Sequence, residues 1–322
     1  MPWFDMPLEQ LREYRTQTAE PAGLDDWWAR RIEDARRMAR PPVLTRQDAD
    51  LYEPLEVYDA EFSGAGGDRI RGWYLKPGAR PGTASSPVVV QFIGYGGGRG
   101  APSEHLMLPA LGYTLLVMDS RGQGGRWTIG ATGDAQPGPE NSQVMTRGIT
   151  SAEDYYYTRL FTDAVLAVDA ALELSGGNTV AVSGGSQGGG LALAAAALRS
   201  DAVATCHADV PFLCDIQRAI TLTGKAPYSE IPEFLSQNVD LIPQALDTLR
   251  YVDCALLARR IRASCLLSTG LMDEICPPST VFAAYNEITA EKDIAVYPFS
   301  GHAGPHSHVE RKLRHLREKF PS

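Results

Sequence analysis

The sequence predicts an α/β fold: a mostly parallel central sheet flanked by helices, in one domain over residues 1–322. Three observations predict it. Pro87 to Ile93 and Tyr113 to Asp119 are continuous apolar runs, as strands buried on both faces are. Two alternating segments precede them, Leu55 to Phe62 and Ile70 to Leu75, which read as antiparallel strands. From residue 153 onward, strand and helix patterns alternate, which is the signature of βαβ units and a parallel sheet.

Taken in order, residues 8–40 read as helical in two pieces broken near Pro21, Ala22 and Gly23. The second piece places Asp25 and Asp26 first and arginines later, in line with the helix dipole. Gly64 to Asp68 is the turn between the antiparallel strands. A helix is expected over about 153–174, a short strand over Thr179 to Ser183, and a small-residue helix over Gly189 to Leu198. Ala202 to Ala208, Ser264 to Thr269 and Ile294 to Phe299 are the remaining strands, and a basic amphipathic helix over Val309 to Phe320 closes the chain. Two stretches exceed a minimal fold of this kind. Residues 124–150 form an extended Gly- and Pro-rich loop, long for a compact domain. Residues 211–258 form a helical insertion, interrupted at Pro227, Pro232 and Pro243, expected as a cap over the strand ends.

Composition narrows the function. Charged residues at 21% and hydrophobic residues at 44% fit a globular domain with a large core. A net charge of −9 disfavours phosphate backbones and anionic membrane, so neither nucleic acid nor membrane is an expected partner. No apolar run is long enough to span a bilayer. The N-terminus shows no basic region followed by an apolar one, which points to the cytoplasm. Five scattered cysteines (206, 214, 254, 265 and 276) read as buried reduced thiols without metal-ligand spacing.

The chemistry concentrates at Gly184-Gly185-Ser186-Gln187-Gly188, a G-x-S-x-G pentapeptide between the 179–183 strand and the following helix. In that setting it forms a nucleophile elbow: a sharp turn holds the serine hydroxyl at the mouth of the sheet. A serine hydroxyl attacks an ester only if an imidazole takes its proton, and a carboxylate must fix the imidazole. In the α/β-hydrolase fold these follow in the order Ser, acid, His, each on a loop after a strand. Asp273 follows the strand ending at Thr269, and His302 follows the strand ending at Phe299. Two N–H donors must face the developing oxyanion. Gln187 supplies one, and the second is expected from the glycine-rich loop Gly94 to Gly98. That loop lacks the Lys-Ser/Thr ending of a phosphate-binding loop.

Other titratable residues take blander readings. Glu274 points elsewhere from a tight loop; Asp209 caps a helix ahead of Pro211. His306 and His308 are solvated cap residues opening the last helix. His105, His207 and His315 have no partner visible in the sequence.

These pieces together resemble the acetyl xylan esterase/cephalosporin C deacetylase family, carbohydrate esterase family seven, over nearly the whole chain. The resemblance is carried by Gly94 to Gly100, Asp119 to Gly124, Met145 to Ile149, Tyr155 to Val165, the elbow, and Asp273 to Thr280. It implies Ser186, Asp273 and His302 as the triad, and the N–H groups of Tyr95 and Gln187 as the oxyanion hole. Arg121, Gly122 and Gln123 match a family motif near the site. Where members usually carry Glu after the catalytic histidine this chain has Ala303, and Ile93 stands where His is frequent. The resemblance implies hydrolysis of small acetyl esters of sugars with no metal or organic cofactor, and a homo-hexamer with active sites on an inner cavity. Apolar or flat side chains at Trp127, Ile129, Val144 and Met145 in the long loop are expected at such an interface. The alternatives are a broader carboxylesterase or other serine hydrolase on the same fold, or a binding protein on a hydrolase scaffold.

Overall fold

The computed structural model describes residues 3–47, 50–78, 86–136, 143–177 and 179–321. Met1, Pro2 and residues 137–142 of the long loop lie outside them. The chain enters through α1 (Leu8–Glu13) and α2 (Leu24–Met38). α2 buries Leu24, Trp28, Ile32 and Ala35, a stripe at helical spacing. Between the two helices residues 14–22 are not helical, against the longer first helix expected. Tyr14 Oη and Thr16 Oγ1 instead donate to the two carboxylate oxygens of Asp215, at 2.7 and 2.6 Å. Remote side-chain hydrogen bonds here replace a short helix of little stability of its own.

Strands β1 (Val43–Arg46), β2 (Leu55–Ser63), β3 (Arg69–Pro77) and β4 (Val88–Phe92) follow, then α3 (Met107–Ala110), β5 (Thr114–Met118) and α4 (Tyr156–Ser175). Next come β6 (Val180–Gly185), α5 (Gln187–Leu198) and β7 (Val203–Asp209). Four helices form the insertion: α6 (Ile216–Leu222), α7 (Glu230–Gln237), α8 (Ile242–Leu249) and α9 (Cys254–Leu257). β8 (Ser264–Gly270), α10 (Pro278–Glu287), β9 (Lys292–Tyr297) and α11 (Ser307–Lys319) complete the chain. Among the described residues the sheet has nine strands in the order β1-β2-β3-β5-β4-β6-β7-β8-β9. β1, β2, β3 and β5 pair antiparallel; β5, β4 and β6 through β9 pair parallel. β1 was not anticipated, because an edge strand with little burial carries no apolar alternation.

Alternate residues of the buried strands feed two layers. Val88, Val90 and Phe92 of β4 join the larger core under α2, α4 and α5. Val89 joins a smaller one under Leu108 of α3 and Leu316 of α11. α4 is buried on nearly all sides, as a helix apolar around its circumference must be. All five cysteines are buried and free. No helix among the described residues is long and apolar enough to cross a membrane.

The loop between β5 and α4 is held by charges in its own turns. Asp119, fully buried, accepts the N–H groups of Arg99 and Thr132 at 2.9 and 2.8 Å, and that of Ala131. Burial pushes its pKa up while those donors pull it down. Val144 and Met145 are 1% and 0% exposed and belong to the main core. The expectation that Val144 and Met145 lie at an interface is therefore corrected. A Gly- and Pro-rich context hid two core residues because no periodicity surrounds them. Trp127 and Ile129 are exposed. The insertion also divides. Glu230, at the start of α7, reaches Tyr95 Oη (2.6 Å) and the Met145 N–H (3.3 Å) at the strand ends. Cys254 and Ala255 of α9, by contrast, are buried, and the Cys254 N–H returns to Leu213 O at 2.8 Å.

Among the described residues Arg121 is the most deeply buried arginine or lysine. Its Nε and Nη2 meet Asp163 Oδ2 and Oδ1 of α4 at 2.6 and 2.7 Å, and Nη1 meets Asp68 at 2.8 Å. Burial alone would lower the guanidinium pKa; Asp163 and Asp68 reverse this and raise it. Removing one member of a buried pair strands the other. Asp163→Ala is expected to destabilise the fold by about 3–5 kcal/mol, read as a lower urea midpoint. A loss below about 1 kcal/mol would show that the pair behaves like a surface ion pair.

Candidate active site

β6 runs straight into α5, and Ser186 stands at the junction with φ 56 and ψ −121. A non-glycine residue with this backbone is strained by about 1–3 kcal/mol and persists only where its surroundings fix it. Its N–H donates to Asp209 O at 2.9 Å, while its C=O accepts from Gly190 and Phe212 at 3.0 and 2.9 Å. The flanking glycines permit the turn. A Cβ on Gly184 would sit 2.3 Å from the Gly188 backbone, and one on Gly188 would sit 2.3 Å from Phe92 O.

The structure brings the three sequence-selected residues into one chain of hydrogen bonds. Ser186 Oγ lies 2.8 Å from His302 Nε2, and His302 Nδ1 lies 2.8 Å from Asp273 Oδ2. Asp273 is fully buried, and its other oxygen accepts the N–H groups of Ile275 and Cys276 at 2.8 and 3.0 Å. Its carboxylate is therefore aimed by the loop after β8 before His302 approaches. His302 keeps 21% of its side-chain surface exposed. Glu274 turns away toward Lys225 at 3.8 Å.

The Gly94–Gly98 loop lies beside the elbow: a Cβ on Gly94 would be 3.7 Å from Gly185 O. No acceptor among the described residues takes the N–H of Tyr95 or of Gln187, so both are available at the junction. Gln123 ties the two sides together. Its Oε1 accepts the Gly96 N–H at 2.8 Å, and its Nε2 donates to Gln187 Oε1 at 2.8 Å. Tyr157 Oη donates to the same Gln187 oxygen at 3.0 Å, and Tyr156 Oη donates to Arg121 O at 2.6 Å. Arg121, Gly122 and Gln123 thus form a buried brace behind the loop, outside hydrogen-bond contact with Ser186.

Three contacts escaped the sequence reading. The Trp127 indole N–H donates to Tyr95 O at 3.1 Å and its ring covers Gly97, so an exposed aromatic holds the loop. Glu230 anchors the Tyr95 hydroxyl. Asp209 is not a helix cap, and His308 is not solvated. His308 is 5% exposed and its Nε2 lies 2.6 Å from Asp209 Oδ1; Lys312 pairs with the other oxygen. Tyr297 Oη lies 2.8 Å from His308 Nδ1. Burial works to raise the Asp209 pKa, but His308 and Lys312 outweigh it and hold it down at about 2. The spacing of His308, Lys312 and the buried Leu316 along one helical stripe was the available signal. His306 is exposed, as expected. His207 Nε2 and His315 Nδ1 pair at 3.0 Å; burial lowers the His207 pKa to about 3. His105 reaches Arg99 O at 2.8 Å. Among the described residues no group of three or more His, Cys, Asp or Glu side chains could hold a metal ion.

The chain is similar to known acetyl xylan esterases over almost its whole length. The family model described as acetyl xylan esterase (AXE1) matches residues 1–319. The acetyl esterase Axe7A of Xylanibacter ruminicola is 27% identical over 303 residues, covering 91% of this chain. The chain spans 65% of that protein's length. The acetyl xylan esterase from Paenibacillus sp. R4 superposes with a TM-score of 0.88 at 34% identity, over 98% of this chain and 100% of the other. Acetyl xylan esterase 1 from Thermoanaerobacterium sp. JW/SL YS485 gives 0.87 at 33%, over the same shares.

Proposed function

This chain belongs to the acetyl xylan esterase family, and on that premise we propose that it is a serine esterase removing acetyl groups from sugars. Its substrates are acetylated xylo-oligosaccharides and related alcohols, cephalosporin C among them. One observation carries the reading: an Oγ–Nε2–Nδ1–carboxylate relay with both links at 2.8 Å, beside two unengaged N–H groups. Ser186 Oγ attacks the acetyl carbonyl as His302 Nε2 takes its proton. Asp273 holds the imidazole orientation and stabilises the imidazolium. The N–H groups of Tyr95 and Gln187 stabilise the oxyanion, which is the largest single contribution in sites of this type. Collapse expels the alcohol with the proton returned by His302, and water then hydrolyses the acetyl-enzyme by the same relay. Five buried free thiols support a reducing compartment, the cytoplasm.

We further propose a homo-hexamer, supported by family resemblance and by the exposed Ile129. Val144 and Met145 no longer support it, and Trp127 spends part of its ring on the Gly94–Gly98 loop.

Ser186→Ala is expected to reduce turnover of p-nitrophenyl acetate by about 10⁴–10⁶, and His302→Ala comparably, with His306→Ala mild. Activity of Ser186→Ala above about a tenth of wild type rejects the nucleophile. In a p-nitrophenyl ester series, kcat/KM is expected to fall steeply beyond propionyl; a maximum at hexanoyl or longer selects the general carboxylesterase. Light scattering is expected to give six times the 34.9 kDa chain mass, and a monomer mass contradicts the hexamer.

A further inference from the structure

Hydrolysis through Ser186 fixes how a substrate lies, and the following inference rests on that reading. The carbonyl oxygen must face the N–H groups of Tyr95 and Gln187. His302 Nε2 must hand its proton to the departing alcohol oxygen, so the alcohol lies on the His302 side. A cavity of about 290 Å³ borders both Ser186 and His302, between the loop carrying His302 and the first turns of α11. Asp209, Lys312 and His306 stand in its wall. This volume is at the small end of the range for ligand sites.

The wall has a definite chemical character. The side chains of Asp209 and Lys312 keep 20% and 23% of their surface exposed, so the pair is not sealed. Asp209 Oδ1 already serves His308 and Ser268, whereas Oδ2 serves Lys312 alone. Oδ2 can accept another hydrogen bond, and the ammonium has further donors. His308 and Ser268 fix the carboxylate, so these groups are pre-oriented. Ala303 and Gly304 border the cavity with little bulk.

An anionic alcohol would meet Asp209, and a cationic one would meet Lys312. An apolar alcohol would cover both charges without replacing their water, which is costly. A neutral polyol matches, because neighbouring hydroxyls each donate and accept. We propose that this cavity is the sugar subsite: Lys312 Nζ donates to one hydroxyl of the acetylated pyranose and Asp209 Oδ2 accepts from its neighbour. His306 stands at the rim.

The test compares acetylated xylobiose with p-nitrophenyl acetate, whose alcohol half has no other hydroxyl. For Lys312→Met, the ratio of kcat/KM on the sugar ester to that on the aryl ester is expected to fall about tenfold. The inhibition constant of free xylobiose should rise by a similar factor, and Lys312→Arg should restore most of both. An unchanged ratio, or an equal loss on both esters, overturns the subsite and leaves Lys312 a structural partner of Asp209. If wild-type protein fails to hydrolyse p-nitrophenyl acetate, or Ser186→Ala retains that activity, the esterase premise falls and takes the subsite with it.

Discussion

The left-handed backbone of Ser186 is the constraint on which the rest of the molecule depends. A serine holds φ 56 only where neighbours remove every alternative, and here those neighbours come from across the sheet. β7 supplies Asp209 O to its N–H, and the chain after β7 returns the Phe212 N–H to its carbonyl. β4 ends so close to α5 that only glycine fits at 188. Parallel pairing of β4, β6 and β7, with a register shift between Val180 and Ala181 on the β7 side, is what brings these contacts to one point. The two cores on either side of the sheet hold that register.

Around the turn, the protein separates positioning from chemistry. Asp273 is aimed by its own loop's N–H groups before it meets His302. The Gly94–Gly98 loop is fixed from behind by Gln123, from above by Trp127 and from the insertion by Glu230. Arg121 sits one layer deeper and ties the start of this brace to α4 and to the turn before β3. Low-dielectric surroundings strengthen each of these bonds and make each partner costly to lose. The groups proposed to touch substrate are thereby left with little to move.

Much of this was legible in the sequence because the relevant segments are short and buried. Val88 to Phe92 and Thr114 to Met118 are apolar but for Gln91 and Thr114, since both sides face cores, and G-x-S-x-G between strand and helix marks a turn few other sequences need. Asp273 and His302 were found through strand order, which locates the loops without their geometry. What stayed hidden depends on return contacts. Asp209 meets His308 and Lys312 only because α11 folds back about a hundred residues later. Val144 and Met145 are buried by tertiary packing with no local pattern to announce it. Residues 14–22 are straightened by Asp215, some two hundred residues away.

The central claim is that one serine, activated in place, carries the acyl group. Labelling the native protein with a fluorophosphonate and mapping the modified peptide by mass spectrometry tests it most directly. The account predicts a single stoichiometric adduct on Ser186, lost when His302 is replaced by alanine. Modification at another residue, or no modification of folded protein, would contradict it.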